Sequence, residues 1–148
     1  MDVSDIKQRL RAYWYCSQRL DKLQDKYQAI RARAEKMTPA YSLAPGGGGS
    51  QDSMAETVTM LADMERMKQD ECHKLMEAMR DVQTLIDTVS YFRMRIVLVF
   101  HYIHFMDFHR IAEEMHYDYY HVIKLHGWAL EELEHKMPTN ANSKSGKM

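Results

Sequence analysis

Apolar residues recur in alternating steps of three and four from Ile6 to Met37. This spacing places them on one side of a helix and is the repeat of a coiled coil. Ser4 is the predicted N-cap, and Thr38–Pro39 is the predicted end, because the residue before a proline avoids the helical region. The side chains expected in the contact seam of this helix are Tyr13, Leu20, Leu23, Tyr27 and Ile30.

A second stretch with the same spacing runs from about Ser53 to Val89. Each stretch predicts a helix of about 50 Å at ~1.5 Å per residue. Residues 38–52 include four consecutive glycines and predict a flexible connection. Two helices of similar length with one connection predict a long antiparallel, coiled-coil-like hairpin over residues 1–89. The seam of the second helix is expected to include Leu61, Leu75 and Met79.

Methionines and cysteines along this hairpin allow further interpretation. Methionine is flexible and fills irregular contacts, so the stripe formed by Met60, Met64 and Met67 is either seam filler or a groove for a partner. The predicted hairpin also places Cys16 and Cys72 near each other, where we expect both to be buried and reduced. Two such helices bury little surface, so we expect a homodimer or packing against the C-terminal part.

The C-terminal part predicts three shorter helices. An apolar run supports a core helix over about residues 91–105. Asp107 and Asp118 are predicted N-caps for helices over residues 108–115 and 119–136, with a tight turn at His116–Tyr117. This spacing is typical of a helix-turn-helix within residues 90–137. The predicted fold class is therefore all-α, and the polar residues 138–148 predict a disordered tail.

The predicted helix-turn-helix has an inner and an outer side. Ile111, Ala112, Val122, Leu125, Ala129 and Leu133 are expected in the core. Tyr119, Tyr120, Ile123, Lys124, Gly127 and Trp128 are expected on the outside, where a second helix meets the major groove. The residues predicted to contact DNA are Tyr119, Tyr120, His121, Lys124 and Trp128, with Arg110 on a phosphate.

Residues 90–135 resemble the sigma-70 region 4 type of helix-turn-helix found in small proteins of phages and prophages of Gram-positive bacteria, akin to the ArpU-type late regulators. The resemblance rests on ordered pairs and triplets, namely Tyr102-Ile103, Asp107-Phe108, Ile111-Ala112, Met115-x-Tyr117-Asp118, Val122-x-Lys124-Leu125-His126 and Ala129-Leu130. It implies sequence-specific binding of double-stranded DNA in transcription or packaging. We expect a transcriptional regulator in the host cytoplasm, with a possible contact with RNA polymerase.

This chain departs from that family at the predicted reading face. The family usually has basic residues where Tyr119, Tyr120 and Trp128 stand, glycine in place of Phe105, and serine at both cap positions. Residues 100–137 hold three Lys and Arg against seven Asp and Glu, whereas residues 1–45 hold nine against five. Aromatic residues are enriched at protein interfaces. The alternative function is therefore a phage-encoded adaptor or inhibitor that binds a host protein.

Other classes of function have no support in the sequence. The glycine run lacks the Lys-Ser/Thr that follows in a phosphate-binding loop, and no nucleophile stands with a base, so an enzyme is not expected. His101 and His104 have helical metal-ligand spacing, but no thiolate or carboxylate pair completes a set, and no metal or cofactor is predicted. His126 is expected to be a hydrogen-bonded, partly buried group. The longest apolar run is too short for a membrane span, so no membrane segment is expected. Two cysteines without a preceding hydrophobic export signal predict a cytoplasmic protein.

Overall fold

The computed structural model describes the backbone of residues 2–43 and 48–137 and the side chains of residues 2–36 and 53–137. These residues are all-helical and contain no strand. The helices are α1 (Val3–Leu10), α2 (Ala12–Leu43), α3 (Gly48–Asp87), α4 (Phe92–Tyr102), α5 (Phe108–Met115) and α6 (Tyr119–Lys136). No helix in these ranges is long and apolar enough to cross a membrane. The predicted disordered tail lies outside the described residues.

The first predicted helix is wrong at both ends. Asp2, not Ser4, is the N-cap, because Asp2 and Asp5 exchange side-chain to backbone hydrogen bonds in a capping box. A break at Arg11 then separates α1 from α2. The helix does not stop at Thr38–Pro39 but continues to Leu43. A proline removes one backbone donor and disfavours the helical conformation of the preceding residue without forbidding it.

The predicted connection over residues 38–52 is also largely helical in backbone, since α2 ends at Leu43 and α3 begins at Gly48. The part of this prediction that concerns residues 44–47 lies outside the described residues. The chain divides into two compact units, Met1–Tyr15 with Met76–Met148 (unit 1) and Cys16–Leu75 (unit 2). Each unit is described through its own described residues.

In unit 2, α2 and α3 contact each other through polar side chains. Arg19 Nε lies 3.6 Å from Glu71 Oε2, and Lys68 Nζ lies 4.3 Å from the centre of the Tyr27 ring. Lys68 and Glu71 are 19% and 21% exposed, whereas Cys72 is exposed, so the predicted burial of Cys72 is wrong. The long stem of a lysine covers apolar surface while its charged end stays near a partner.

The other predicted seam residues of unit 2 are half-buried: Leu20, Leu23, Tyr27, Ile30, Leu61 and Leu75. In the methionine stripe, Met64 is buried, as seam filler would be, while Met60 and Met67 are about half exposed at 49% and 53%. Both cysteines are free, and Cys16 is buried as predicted.

Unit 1 contains the main core, which α1, α3, α4 and α6 build together. Its buried side chains are Ile6, Leu10, Val82, Leu85, Ile86, Val89, Leu98, Tyr102, Ile103, Ala129, Leu130 and Leu133. Tyr13 packs against this core, but Met79 is 42% exposed, so its predicted place in the seam is wrong. Ala78 takes the buried position instead.

The connections of α4 are held by specific hydrogen bonds. Glu132 on α6 accepts from the backbone N–H of Ser90 at 2.9 Å and pairs with Lys136 at 2.9 Å. Arg95 donates to the carbonyl oxygens of Val89 and Ser90. Ser90 therefore forms a tertiary hydrogen bond with Glu132. The N-cap of α4 is Tyr91, which makes no side-chain cap hydrogen bond. These bonds tie the turn between α3 and α4 to α6.

Candidate functional site

Two aspartates set the beginnings of α5 and α6. Asp107 Oδ1 accepts from the backbone N–H of Arg110 at 2.8 Å, and Asp118 Oδ2 accepts from that of Tyr120 at 3.2 Å. His116 closes α5 in the left-handed conformation, with φ 56° and ψ 42°. Only residues 116–118 separate the two helices. The predicted bounds and caps of both helices are confirmed.

A small core lies between α4, α5 and α6. Val97, Ile111, Val122 and Leu125 are at most 1% exposed, and Ala112 is 7% exposed. The short side chain of Ala112 leaves room for the neighbouring helix. The predicted burial of Ile111, Ala112, Val122, Leu125, Ala129 and Leu133 is confirmed. The opposite side of α6 is consequently free to face outward.

The outward side of α6 carries Tyr120, Ile123, Lys124 and Trp128, which we call the outer face. Tyr120 is 71% exposed, Trp128 49% and Ile123 37%, and Lys124 is also exposed. Offsets of three, four and eight residues place these side chains along one side of the helix. The outer face is a stripe of large apolar groups with one cation in it.

The remaining predicted site residues lie beside this stripe. Tyr119 is half-buried because its ring stacks on His109, with centroids 4.1 Å apart and an interplanar angle of 11°. His121 is exposed and meets the edge of Tyr117 at 5.0 Å. Arg110 is exposed on α5. Tyr119 therefore presents less surface than the sequence predicts, while Arg110 and His121 stay accessible.

Arg93 is a candidate that the sequence analysis missed. Its guanidinium carbon lies 5.6 Å from the centre of the Tyr117 ring, which belongs to the turn between α5 and α6. Arg93 is exposed, whereas Arg95 and Lys136 are engaged in the hydrogen bonds described above. Arg93 lies on α4, outside the motif, and no spacing rule in the sequence connects it with Tyr117. The exposed acids of α5, Glu113 and Glu114, reduce the positive charge of this region.

A buried polar pair connects α4 with α6 behind the outer face. The Tyr102 hydroxyl and His126 Nε2 share a hydrogen bond of 2.7 Å. Burial is the main cause that lowers the pKa of His126 to about 4, and His101 and Lys7 contribute to the same shift. Burial raises the pKa of Tyr102 to about 12. Both groups are thus neutral near pH 7, and the prediction that His126 is a buried, hydrogen-bonded group is confirmed.

His101 extends this cluster. Its Nδ1 donates to the carbonyl oxygen of Met106 at 2.8 Å, and its ring stacks on Phe108 at 4.3 Å. Burial lowers the pKa of His101 despite the opposing effect of that hydrogen bond. His104, the other member of the predicted metal-spaced pair, is exposed. Among the described residues, no group of three or more His, Cys, Asp or Glu side chains is arranged to hold a metal ion.

Comparisons with known proteins do not identify a family. The chain matches no family model, no curated protein and no solved structure. The resemblance to region 4 proteins of phages therefore stays a prediction.

Proposed function

We propose that this chain is a DNA-binding transcriptional regulator of the phage type, with α5 and α6 acting as a helix-turn-helix. The observation that carries the proposal is the pair of aspartate-capped helices around one small core, with Tyr120, Lys124 and Trp128 left facing outward. In such motifs the early residues of the second helix enter the major groove. Tyr120 and His121 lie in the first turn of α6, where base edges would be read.

Three cations would supply the phosphate contacts. Arg93, Arg110 and Lys124 are exposed on α4, α5 and α6. Arginine and lysine bind phosphate oxygens without regard to sequence and provide most non-specific affinity for DNA. Trp128 and Ile123 would add apolar contact, and Tyr119 would position the neighbouring Tyr120 through its stack on His109.

The long helices would assemble the regulator. Arg19 on α2 pairs with Glu71 on α3, and Tyr27, further along α2, contacts Lys68, which is earlier in α3. Residue numbers therefore rise along one helix while they fall along the other, which supports the antiparallel hairpin. Met60 and Met67 are half exposed and seven residues apart, so they share one side of α3. A second copy that packs on this side would give the homodimer predicted from the sequence and would present two outer faces to one DNA duplex.

The second candidate is a protein-binding adaptor or inhibitor of a host protein. It is favoured by the 71% exposure of the Tyr120 ring together with half-exposed Trp128 and the neighbouring carboxylates of Glu113 and Glu114. Tyrosine and tryptophan are the usual anchors of protein interfaces. RNA polymerase is the defined partner to test, because region 4 domains of the family that this chain resembles also contact polymerase.

Salt dependence separates the two candidates. For DNA, the logarithm of the binding constant should fall with the logarithm of salt concentration with a slope of about −3 per protomer, for about three neutralised phosphates. We expect Lys124→Gln to reduce the magnitude of this slope by about one. Trp128→Ala should weaken binding and leave the slope unchanged. Arg80→Gln, an exposed charge on α3, is the matched control and should leave the slope unchanged. Fluorescence anisotropy with a 20-base-pair duplex of random sequence measures all four proteins.

The DNA proposal is overturned if the binding constant of wild type for DNA does not change with salt concentration. It is also overturned if Lys124→Gln has the same slope as wild type. Binding to purified bacterial RNA polymerase that is insensitive to salt and lost in Trp128→Ala would support the adaptor. The indole N–H signal of Trp128 in a proton–nitrogen correlation spectrum then reports whether either partner contacts the outer face.

A further inference from the structure

A cleft of about 420 Å³ opens in unit 1, away from the residues of the outer face. The residues that line it are Arg11, Trp14, Tyr15, His101, Tyr102, Phe105, Met106 and Asp107. They come from the break between α1 and α2, the start of α2, the end of α4 and the loop before α5. This volume is in the range of pockets that bind small molecules, about 300–1,000 Å³.

Exposed aromatic rings form much of the cleft wall. Trp14, Tyr15 and Phe105 are 42%, 44% and 43% exposed. Trp14 and Tyr15 meet edge to face with centroids 5.2 Å apart. Phe105 stacks on Tyr13 at 5.4 Å, which covers part of its ring. A planar ligand would find apolar ring surface here that the protein itself leaves open.

The backbone at Phe105 is strained. Its φ of 59° lies in the left-handed region, where a residue other than glycine or asparagine costs about 1 kcal/mol. The conformation has a structural reason, because the chain reverses after α4 and the N–H of Met106 bonds to the carbonyl of Phe100 at 2.9 Å. Glycine would make this reversal without strain. A phenylalanine held here, with nearly half of its ring exposed, indicates a use for the ring.

The cleft contains one cationic side chain, Arg11, and one anionic side chain, Asp107. Arg11 is exposed at the cleft, and its positive charge contributes to the lowered pKa values of both His101 and His126. At His101 the effect of Arg11 exceeds the opposite effect of Asp107. One oxygen of Asp107 is already used to cap α5. His101 and Tyr102 contribute no charge near pH 7, so Arg11 is the group in the lining that can pair with an anion.

We propose that this cleft binds a small planar aromatic carboxylate, whose ring lies against Trp14, Tyr15 and Phe105 and whose carboxylate pairs with the Arg11 guanidinium. Two fused rings fit the volume with space for the acid group. Arginine is suited to this role, because its planar fork binds a carboxylate through two hydrogen bonds and also stacks on aromatic rings. The site is separate from the outer face and does not depend on the proposed DNA binding.

The two tryptophans of the chain provide the test, since one lines the cleft and the other lies on the outer face. The probes are 2-naphthoate and its neutral amide, added to isotope-labelled full-length protein. We expect 2-naphthoate to shift the Trp14 indole N–H signal in a saturable way and to leave the Trp128 signal in place. The amide should bind about tenfold more weakly, because it lacks the charge-assisted pair with Arg11.

Three variants sharpen the result. Arg11→Gln should weaken 2-naphthoate about tenfold and leave the amide unchanged, and Arg11→Lys should restore part of the loss. Phe105→Gly should weaken both probes while the protein stays folded, since glycine accepts the left-handed backbone. Tyr120→Ala is the control on the outer face and should bind both probes as wild type does.

The proposal is overturned if millimolar 2-naphthoate leaves the Trp14 signal unmoved, or if acid and amide bind equally and Arg11→Gln has no effect. Either result leaves the DNA proposal intact, because that proposal is judged by salt dependence and by the Trp128 signal.

Discussion

Unit 1 and unit 2 have similar helical patterns of apolar residues, but unit 1 buries far more of its apolar side chains than unit 2 does. In unit 1, Ile86, Leu98 and Leu133 have no exposed surface. In the described part of unit 2, only Cys16 and Met64 are buried, and seam residues such as Leu61 stay half-buried. Two helices that meet along one line cannot surround a side chain, whereas four helices can. An apolar heptad pattern therefore produces a core only where additional helices cover it.

The largest expected effect comes from removing the same side chain in the two units. Leu98→Ala should lower the free energy of unfolding by about 3–5 kcal/mol, because it opens a cavity in a closed core. Leu61→Ala should lower it by about 1 kcal/mol, since the half-buried side chain is already in contact with water. Urea unfolding followed by circular dichroism measures both, and Trp14 and Trp128 fluorescence follows unit 1 alone. Equal decreases in the free energy of unfolding for the two variants would contradict the difference in burial between unit 1 and unit 2.

Acid should destabilise unit 1 through its buried histidine. The pKa of His126 is about 4 in the folded protein and about 6.5 in an unfolded chain, so the unfolded state binds more protons between these values. The free energy of unfolding should then fall as the pH drops from 6.5 to 4, by about 3 kcal/mol in total. His126→Gln should remove most of this loss. A part should remain through half-buried His101, whose pKa is also lowered.

Urea titrations at several pH values, followed by tryptophan fluorescence, measure this effect. The same loss of stability in wild type and His126→Gln would show that His126 does not titrate in this window. The expectation concerns unit 1, where the Tyr102–His126 pair is buried between α4 and α6.

A smaller effect is expected from the cap of α5. Asp107→Ala removes the acceptor for the backbone N–H of Arg110 and should lower the free energy of unfolding by about 1 kcal/mol. Asp107→Asn is the matched control, because asparagine caps a helix about as well as aspartate. Thermal unfolding of the three proteins compares them. If alanine and asparagine behave alike, the capping bond contributes nothing to stability.

The smallest effect is expected at a position that the sequence pattern assigns to the seam. Met79→Ala should change the free energy of unfolding by less than about 0.5 kcal/mol, because the side chain is exposed. Val82→Ala, one helical turn further on and 1% exposed, should lower it by about 1–3 kcal/mol. If Met79→Ala lowers the free energy of unfolding more than Val82→Ala does, Met79 is a buried seam residue after all.

Prediction from sequence succeeded where the deciding interactions are local. The caps Asp107 and Asp118 bond to groups two or three residues away, so their side chains and the following helical pattern define α5 and α6 directly. The buried side of α6 follows from its own periodicity. The exposure of Tyr120, Lys124 and Trp128 follows in turn, since these residues lie opposite that side.

Prediction failed where a distant residue decides. Sequence alone favours Cys72 over Glu71 in the seam because cysteine is apolar, and Met79 over Ala78 because methionine is the larger apolar side chain. Glu71 turns inward because Arg19 on another helix pairs with it. The grouping of α1 with the C-terminal helices, the approach of Arg93 to Tyr117 and the cleft beside Phe105 also depend on contacts between residues far apart in the chain.

By itself, the sequence determined an all-helical chain, the two capped helices near its C-terminal end and the side of α6 that faces outward. The tertiary structure decided which side of α3 is buried, that Tyr102 meets His126, and that three aromatic rings surround a cleft with Arg11. The physical reason is the distance along the chain over which the deciding interactions act. A cap or a periodic stripe is complete within a few residues of one helix, whereas burial, a shifted pKa and a binding cleft exist only once separate helices have packed together.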